Sequence, residues 1–365
     1  MRILVVDGAA RPGGFTRQMA GLLADGAREA GAEVDVARLD ELEIGRCRGC
    51  FACWDPSEQD PRCALRDDME DLVERFYRAE ALVLATPVYY YSFSALLKIF
   101  LERLLVTTRP HPVEGGIPEL VRNAMRRPDS GPRVAVLVAV GARRELANMD
   151  GLVQTFELAA NGLGAAPVGR LLRPESTFLD YPASKPVTRW KIDAAFRQAG
   201  RELATLGRIA PETERDAALH LTRDQETFNR HFDTYFEICA ELRASPSDRR
   251  LLREAAARDL RILMVELAAC LDSAAARGVR ACVAFELRGR QPGTWSLVIE
   301  DGRCAARRGP TAAPDVVVEA DADAWVDVIL QRVDARELLS RGEIRVRGDL
   351  RLFARFGRLF PPQKS

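Results

Sequence analysis

Short apolar runs alternate with helical patterns through the first half of the chain. The run 3–6 ends at Asp7-Gly8, as expected of a strand buried on both faces. Further strands are predicted at 34–39, 81–90, 133–140 and 168–172, and the intervening segments have helical apolar spacing. This alternation predicts an α/β fold with a doubly wound parallel sheet, in which ligands bind beyond the carboxyl ends of the strands.

The loop after the first strand, residues 8–16, contains three glycines and Arg11 and leads into a helix that Thr16 is predicted to cap. Free N–H groups at a helix start, together with an arginine, favour a phosphate. The loop matches neither the G-x-G-x-x-G nor the Walker pattern, which argues against dinucleotide and ATP binding. The alternative is an ordinary tight connection between a strand and a helix.

A second candidate segment is the end of the third predicted strand, which reads Thr86-Pro87-Val88-Tyr89-Tyr90-Tyr91. Aromatic side chains there suit a flat heterocycle, although such residues also serve simply as core. Because the phosphate loop and the tyrosines follow separate strands of one sheet, they favour a mononucleotide with a large ring.

These motifs resemble the NADPH-dependent FMN reductases and the iron–sulfur flavoproteins, which have a flavodoxin-like fold. The resemblance covers about residues 1–205 and includes the loop 8–16, the cysteine-rich stretch followed by Arg66-Asp67-Asp68-Met69, and the segments 86–89 and 97–103. It implies FMN as the cofactor, NAD(P)H as the co-substrate and a homodimer or higher homo-oligomer.

The same resemblance implies the site residues. The FMN phosphate would be held by Ala9, Arg11, Phe15 and Thr16, and the isoalloxazine would be lined by Pro87, Val88, Tyr89, Tyr90 and Gly141. One departure concerns Ala9-Ala10, where the family usually has a hydroxyl residue. The missing hydrogen bond would weaken FMN binding by about 1–2 kcal/mol if nothing replaces it.

Four cysteines, Cys47, Cys50, Cys53 and Cys63, lie close together in the chain. Their spacing resembles the motif that ligates a [4Fe-4S] cluster in the iron–sulfur flavoproteins. Four thiolates also suit zinc, and similar loops occur without metal, so a cluster, a zinc site and a metal-free loop all remain open.

The second half changes from helical to strand periodicity after Gly278. A hairpin is predicted at Asp301-Gly302, with Trp295, Leu297 and Ile299 facing inward. The order of strands and helices indicates an α+β domain. Residues 250–360 resemble the sterol carrier protein type 2 domain, which implies an apolar tunnel for a lipid or acyl chain. An alternative is a domain that has lost its tunnel and only mediates dimers.

The predicted domains are a flavodoxin-like FMN-binding domain at 1–210, a helical extension or linker at 211–245 and a lipid-binding domain at 246–365. Fifty-three basic residues balance fifty-three acidic ones, so nucleic acid is not an expected partner. The sequence contains no evident signal peptide or membrane span and is expected to be cytoplasmic.

The whole chain is therefore predicted to be an NAD(P)H oxidoreductase that passes electrons to a quinone-like or hydrophobic acceptor, directly or through a cluster. No catalytic acid or base is assigned, because the flavin would carry the chemistry. The rival prediction is a lipid carrier whose flavodoxin-like half no longer binds flavin.

Overall fold

The computed structural model describes residues 1–55, 62–109, 125–180, 186–245 and 248–361. The chain divides into two compact units. The first consists of Met1–Thr177 with Val187–His220, and the second of Phe178–Pro186 with Leu221–Ser365.

The first unit contains five strands and six α-helices among the described residues. The strands are β1 (Arg2–Asp7), β2 (Glu33–Arg38), β3 (Ala81–Pro87), β4 (Val134–Val140) and β5 (Ala166–Arg173). The helices are α1 (Phe15–Glu29), α2 (Met69–Arg78), α3 (Ala95–Arg103), α4 (Asp150–Gly162), α5 (Pro186–Leu206) and α6 (Pro211–Ala217).

The five strands form one parallel sheet in the order β2-β1-β3-β4-β5. Its central strands are buried almost throughout and consist mainly of apolar residues, because helices cover both faces of the sheet. The order reverses direction between β1 and β3, so the loops after these strands diverge and leave a crevice at the carboxyl edge. The flavodoxin-like fold prediction is confirmed.

Two local predictions are wrong. The third strand ends at Pro87 rather than at residue 90, because residues 89–92 form a turn with positive φ at Tyr90 and Tyr91. Thr16 does not cap α1, since the helix begins at Phe15 and Gly14 occupies the capping position. Thr16 is instead buried in the first turn.

The second unit also contains five strands. They are β6 (Arg280–Arg288), β7 (Gly293–Glu300), β8 (Arg303–Arg308), β9 (Val316–Asp321) and β10 (Ile344–Gly348). Their order is β10-β9-β6-β7-β8, with β6 and β9 parallel and all other pairs antiparallel. The mixed sheet confirms the predicted α+β domain.

Seven α-helices accompany this sheet among the described residues. They are α7 (Gln225–Leu242), α8 (Arg249–Ala256), α9 (Leu260–Ala269), α10 (Ala322–Ile329), α11 (Ala335–Ser340), α12 (Leu350–Ala354) and α13 (Phe356–Leu359). The helical sequence pattern of residues 248–276 predicts one helix, and the structure instead divides this segment between α8 and α9. Asp259 starts a separate helix there because its side chain accepts a hydrogen bond from the Arg261 amide.

The predicted hairpin at Asp301-Gly302 is confirmed. Both residues have positive φ, 43° and 82°, as a two-residue turn of type I′ requires. Trp295, Leu297 and Ile299 face the core as expected and are at most 6% exposed.

The described residues that follow β5 and precede β6 in the chain are largely helical, which agrees with the predicted helical linker. α6 lies in the first unit and α7 in the second, while the exact limits 1–210, 211–245 and 246–365 stay predictions. No helix in the described part of the chain has the length and apolar character needed to cross a membrane.

Candidate functional site

Hydrogen bonds join the loops that follow β1 and β3. The Gly8 amide donates to the Ala85 carbonyl at 2.8 Å, and the Ser94 hydroxyl donates to the Gly8 carbonyl at 2.8 Å. A Cβ atom on Gly8 would lie 2.8 Å from Ser94 Oγ and 2.9 Å from Leu97 Cβ, so a larger residue does not fit. The two candidate loops are thus fixed against each other at the carboxyl edge of the sheet.

The start of α1 is suited to an anion. No side chain caps this helix end, and its first turn contains no acidic residue. Arg11 is exposed in the loop just before it, and its carbonyl accepts a hydrogen bond from the Gly14 amide at 3.0 Å. The positive end of the helix dipole and one guanidinium are therefore close along the chain, as a phosphate group would require.

The amide of Ala9 already has a partner within the protein. It donates to Asp7 Oδ1 at 3.0 Å, while Asp7 Oδ2 accepts from Arg17 Nε at 2.8 Å. Arg17 also contacts Asp40. Asp7 is 1% exposed, so its charge is balanced by Arg17 inside the protein. The main chain of Ala9 is less available to a phosphate than the start of α1.

The three tyrosines after β3 form a tight and strained turn. Tyr89 and Ser92 exchange two backbone hydrogen bonds of 3.3 and 3.1 Å, and the central residues Tyr90 and Tyr91 have φ of 46° and 63°. Positive φ at two successive bulky residues is rare, and such strain is often kept for a function. Tyr90 is 99% exposed, so burial of its own ring does not explain the turn.

A cavity of about 320 Å³ lies next to this turn. We call it the loop cavity; its lining residues are Val88, Tyr90, Tyr91, Gly141, Ala142, Arg143, Asn148 and Met149. A Cβ atom on Gly141 would lie 2.7 Å from Met149 Cε and 3.5 Å from Val88 Cγ2. The absence of a side chain at residue 141 therefore keeps room for the Met149 side chain on the cavity wall.

The loop cavity is lined by some, but not all, of the residues predicted to surround the isoalloxazine ring. Val88, Tyr90 and Gly141 line it, whereas Pro87 and Tyr89 are adjacent in the chain and are not among its lining residues. Tyr91 belongs to the tyrosine segment singled out in the sequence, although it was not assigned to the ring site, and Met149 and Arg143 were not predicted. Met149 and Arg143 follow β4 closely, so the rule that sites collect after strand ends was a usable signal. The assignment of FMN contacts to individual residues stays a prediction.

We call the segment from Cys47 to Cys63 the cysteine loop. Its described residues near Cys53 pack on the segment that follows α3. Trp54 Nε1 donates to the Leu105 carbonyl at 3.2 Å, and Arg126 donates to the Cys53 carbonyl. Burial raises the pKa of the Cys53 thiol, and the neighbouring thiols of Cys63 and Cys47 raise it further. Three of the four cysteines are therefore close enough to interact electrostatically.

These thiols do not converge on one point. Cys50 is exposed and the other three are half-buried. In the described part of the chain, no three Cys, His, Asp or Glu side chains are placed to hold a metal ion. Cysteine thiolates are suitable ligands for an iron–sulfur cluster or for zinc. In the described residues, however, these thiols are not arranged around one metal position.

An ion pair anchors the chain beside the cysteine loop. Arg103, 2% exposed, contacts both carboxylate oxygens of Asp67 at 2.6 and 2.9 Å, and it also donates to the Gly45 carbonyl at 2.7 Å. These contacts lower the pKa of the Asp67 carboxyl, chiefly through Arg103. Gly45 precedes the cysteine loop in the chain and Asp67 follows it, and Arg103 contacts both. The position of the cysteine loop therefore depends on Arg103.

The core of the second unit contains an aromatic cluster. The ring of Trp325 lies 4.9 Å from that of Phe285 and 6.4 Å from that of Phe356. Trp325 is 1% exposed, and its Nε1 donates no hydrogen bond to any residue that the structure describes. A buried indole N–H usually has an acceptor, so this one is a candidate contact for a bound ligand.

Comparison with known families agrees with both halves. Residues 1–170 match the family of NADPH-dependent FMN reductases, and residues 266–361 match the SCP-2 sterol transfer family. The chain joins an FMN-reductase-like domain to an SCP-2 domain. Both resemblances drawn from the sequence are confirmed.

Individual relatives match the first domain. An iron–sulfur flavoprotein of Methanosarcina thermophila is 31% identical over 30% of this chain and 55% of its own length. A protein of Bacillus subtilis described as an NAD(P)H-dependent FMN-containing oxidoreductase is 24% identical over 52% of this chain and 96% of its own. The solved NAD(P)H:quinone oxidoreductase of Methanothermobacter marburgensis aligns with 56% of this chain and 96% of its own, at 17% identity and a TM-score of 0.42. The chain spans about half the length of the iron–sulfur flavoproteins it matches.

Proposed function

We propose that the protein is an FMN-dependent NAD(P)H oxidoreductase that reduces a quinone-like or other hydrophobic acceptor. The observation that supports this proposal most is that two loops are joined at the carboxyl edge of the sheet. One leads into a helix start that is suited to an anion, and the other lies beside the loop cavity. Bound FMN would take hydride from NAD(P)H and pass electrons to the acceptor.

The residues of the chain would bind and orient the cofactor. Arg11 and the start of α1, with Phe15 and Thr16, would hold the phosphate, and Ala9 would adjoin it. Val88, Tyr90 and Gly141 would surround the isoalloxazine, with Pro87 and Tyr89 supporting them from the same loop. The apolar wall formed by Val88 and Met149 would keep water from one side of the ring.

Titration with FMN tests this proposal directly. Arg11→Ala should weaken FMN binding tenfold to a hundredfold, since a lost charge-assisted contact costs about 1.5–3 kcal/mol. Arg28→Ala, an exposed arginine near the other end of α1, is the control and should bind FMN normally. An unchanged dissociation constant in Arg11→Ala would remove this arginine from the site.

For the second domain we propose binding of a lipid or acyl ligand that delivers or retains the hydrophobic acceptor. The buried Trp325 N–H favours a ligand with an oxygen acceptor, because no described residue accepts a hydrogen bond from it. Trp325→Phe should therefore lower affinity for a fatty acid more than affinity for a hydrocarbon of equal length, measured by displacement of a fluorescent lipid. Equal losses for both ligands would contradict this role.

We also infer that Cys47, Cys50, Cys53 and Cys63 take up a [4Fe-4S] cluster. The support is the electrostatic proximity of three of the thiols and the names of several relatives; the loop would have to rearrange to complete the shell. Anaerobic reconstitution should yield iron and sulfide, and Cys50→Ser should abolish both while FMN remains. Stoichiometric zinc would identify a zinc site instead, and a protein that takes up no metal would have a metal-free cysteine loop.

One observation favours a second candidate function, a lipid carrier with a flavin-free first domain. Ala9 provides no hydroxyl, and its amide is already bonded to Asp7. The visible spectrum of freshly purified protein separates the candidates, because a colourless protein that does not take up FMN would be the carrier.

We further propose a cytoplasmic homodimer with the flavin near the subunit interface. The support is the exposure of Tyr90 and Tyr91 beside the loop cavity, since exposed aromatic residues are enriched at interfaces. Sedimentation of the wild type and of Tyr90→Ser would test it, and a monomeric wild type would refute it.

A further inference from the structure

A second cavity, of about 390 Å³, lies along α2 in the first unit. We call it the arginine cavity, because its lining includes Arg62, Arg66, Arg103, Arg109, Arg126 and Arg127. These residues come from three separate stretches of chain. Their convergence on one cavity is unusual, since arginines repel one another and are normally spread over a surface.

Carboxylates balance only part of this charge. Arg66 pairs with Glu70 at 2.7 Å, Arg127 with Glu74 at 2.8 Å and Arg103 with Asp67 at 2.6 Å. Arg126 donates to the carbonyls of Val106 and Cys53 and, like Arg109, has no carboxylate partner among the described residues. The arginine cavity therefore keeps an excess of positive charge.

One buried donor on the cavity wall is also left over. Arg103 is 2% exposed, and its Nε has no hydrogen-bond partner among the described residues. The neighbouring Cys63 thiol helps to raise the pKa of the same guanidinium, but sulfur is a weak hydrogen-bond acceptor. A buried donor of this kind calls for an acceptor that none of the described residues supplies.

Apart from the arginines, Cys63 and the two glutamates already paired with Arg66 and Arg127, the wall is apolar or aromatic. Val73 and Val106 line it together with Tyr77, and the guanidinium carbon of Arg127 lies 4.4 Å from the centre of the Tyr77 ring. A ligand with only an anionic group would leave this wall uncovered. Guanidinium groups donate two parallel hydrogen bonds to oxyanions, both carboxylates and phosphates. The excess of positive charge in this cavity favours the more highly charged phosphate.

We propose that the arginine cavity binds an organic phosphate, that is, a phosphate or diphosphate group carried on an apolar or aromatic body. The phosphate contacts Arg109, Arg126 and the free side of Arg103, and the body lies against Tyr77 and Val106. The site is separate from the loop cavity and does not depend on flavin binding. Two sources share this chemistry, a soluble phosphate ester and the headgroup of an anionic lipid.

Calorimetric titration of the full-length, FMN-saturated protein tests the soluble source, with ADP, inorganic pyrophosphate and adenosine as probes. ADP should bind more tightly than pyrophosphate, adenosine should bind least, and added salt should weaken ADP binding. Arg109→Gln and Arg126→Gln should each reduce ADP affinity about tenfold. Arg201→Gln, an exposed arginine of α5, is the matched control and should leave it unchanged, as should Arg11→Gln, which excludes binding at the phosphate loop.

Sedimentation with vesicles tests the lipid source. Binding to vesicles of phosphatidic acid and phosphatidylcholine, but not of phosphatidylcholine alone, that is reduced in Arg109→Gln supports a lipid phosphate. The proposal is overturned if neither probe set binds, or if Arg109→Gln and Arg126→Gln bind as well as the wild type. Circular dichroism and FMN titration of both variants separate a folding defect, or a failure of the flavin site, from a loss of this site.

Discussion

The loop cavity and the arginine cavity belong to the same compact unit but are built differently. The loop cavity lies where β3 and β4 end, and backbone geometry shapes it through a strained tyrosine turn and Gly141. The arginine cavity lies along a helix, and long charged side chains from distant parts of the chain shape it. The first suits a flat uncharged ring, and the second suits an anion.

This difference shows two ways in which one fold makes binding sites. Sheet topology alone brings the loops after β1, β3 and β4 together, whatever their sequence. The arginine cavity instead depends on specific side chains, above all on the buried pair of Arg103 and Asp67. Substitutions can therefore disturb one cavity and leave the other intact.

The largest effect is expected from Asp67→Ala. It leaves the guanidinium of Arg103 buried and uncompensated, and breaking a buried pair in this way costs about 3–5 kcal/mol. The free energy of unfolding from urea titration should fall by that amount. Glu70→Gln, which removes only an exposed partner of Arg66, should cost less than about 1 kcal/mol. Similar losses in both variants would show that Arg103 is not an anchor.

The pH dependence of this difference gives an independent check. Since Arg103 lowers the pKa of Asp67 in the folded state, the carboxylate stabilises the protein above its unfolded pKa of about 3.9. That contribution is lost as the pH falls through the lower folded-state pKa. The gap in stability between the wild type and Asp67→Ala should therefore narrow in acid, and a gap that widened would contradict the assigned role.

The two cavities also differ in how far the sequence predicted them. Buried strands and their ends are evident from apolar runs, so the loops after β3 and β4 were predicted as site loops. The choice of Val88 and Gly141 within them came from the family resemblance. The sequence did not reveal that Tyr90 would adopt a positive φ, because the tyrosines read equally well as the end of a strand. Nor did it reveal the arginine cavity. Arg66 and Arg126 are sixty residues apart, and each alone is typical of a solvated surface.

A smaller effect, confined to the loop cavity, is expected from Gly8→Ala. The new Cβ would lie within 3 Å of Ser94 and Leu97, and overpacking of this kind costs about 1–3 kcal/mol. The displaced loops should weaken FMN binding and leave ADP binding at the arginine cavity unchanged. Gly21→Ala, within α1 and outside the phosphate loop, is the matched control, because no atom lies within 4 Å of a Cβ there. Loss of both ligands in Gly8→Ala would mean that the cavities are not independent.

The smallest effect is expected from Tyr90→Asn, and its sign separates structure from function. Asparagine tolerates positive φ better than tyrosine, and within a single protomer Tyr90 is almost fully exposed and buries little surface. The variant should therefore be more stable than the wild type by about 0.5–1 kcal/mol, while FMN binding weakens. Tyr90→Phe keeps the ring and the strain, so it should change neither quantity appreciably. If Tyr90→Asn gained stability and bound FMN normally, the strained turn would have no role in the loop cavity, and Val88, Gly141 and Met149 alone would have to form the ring site.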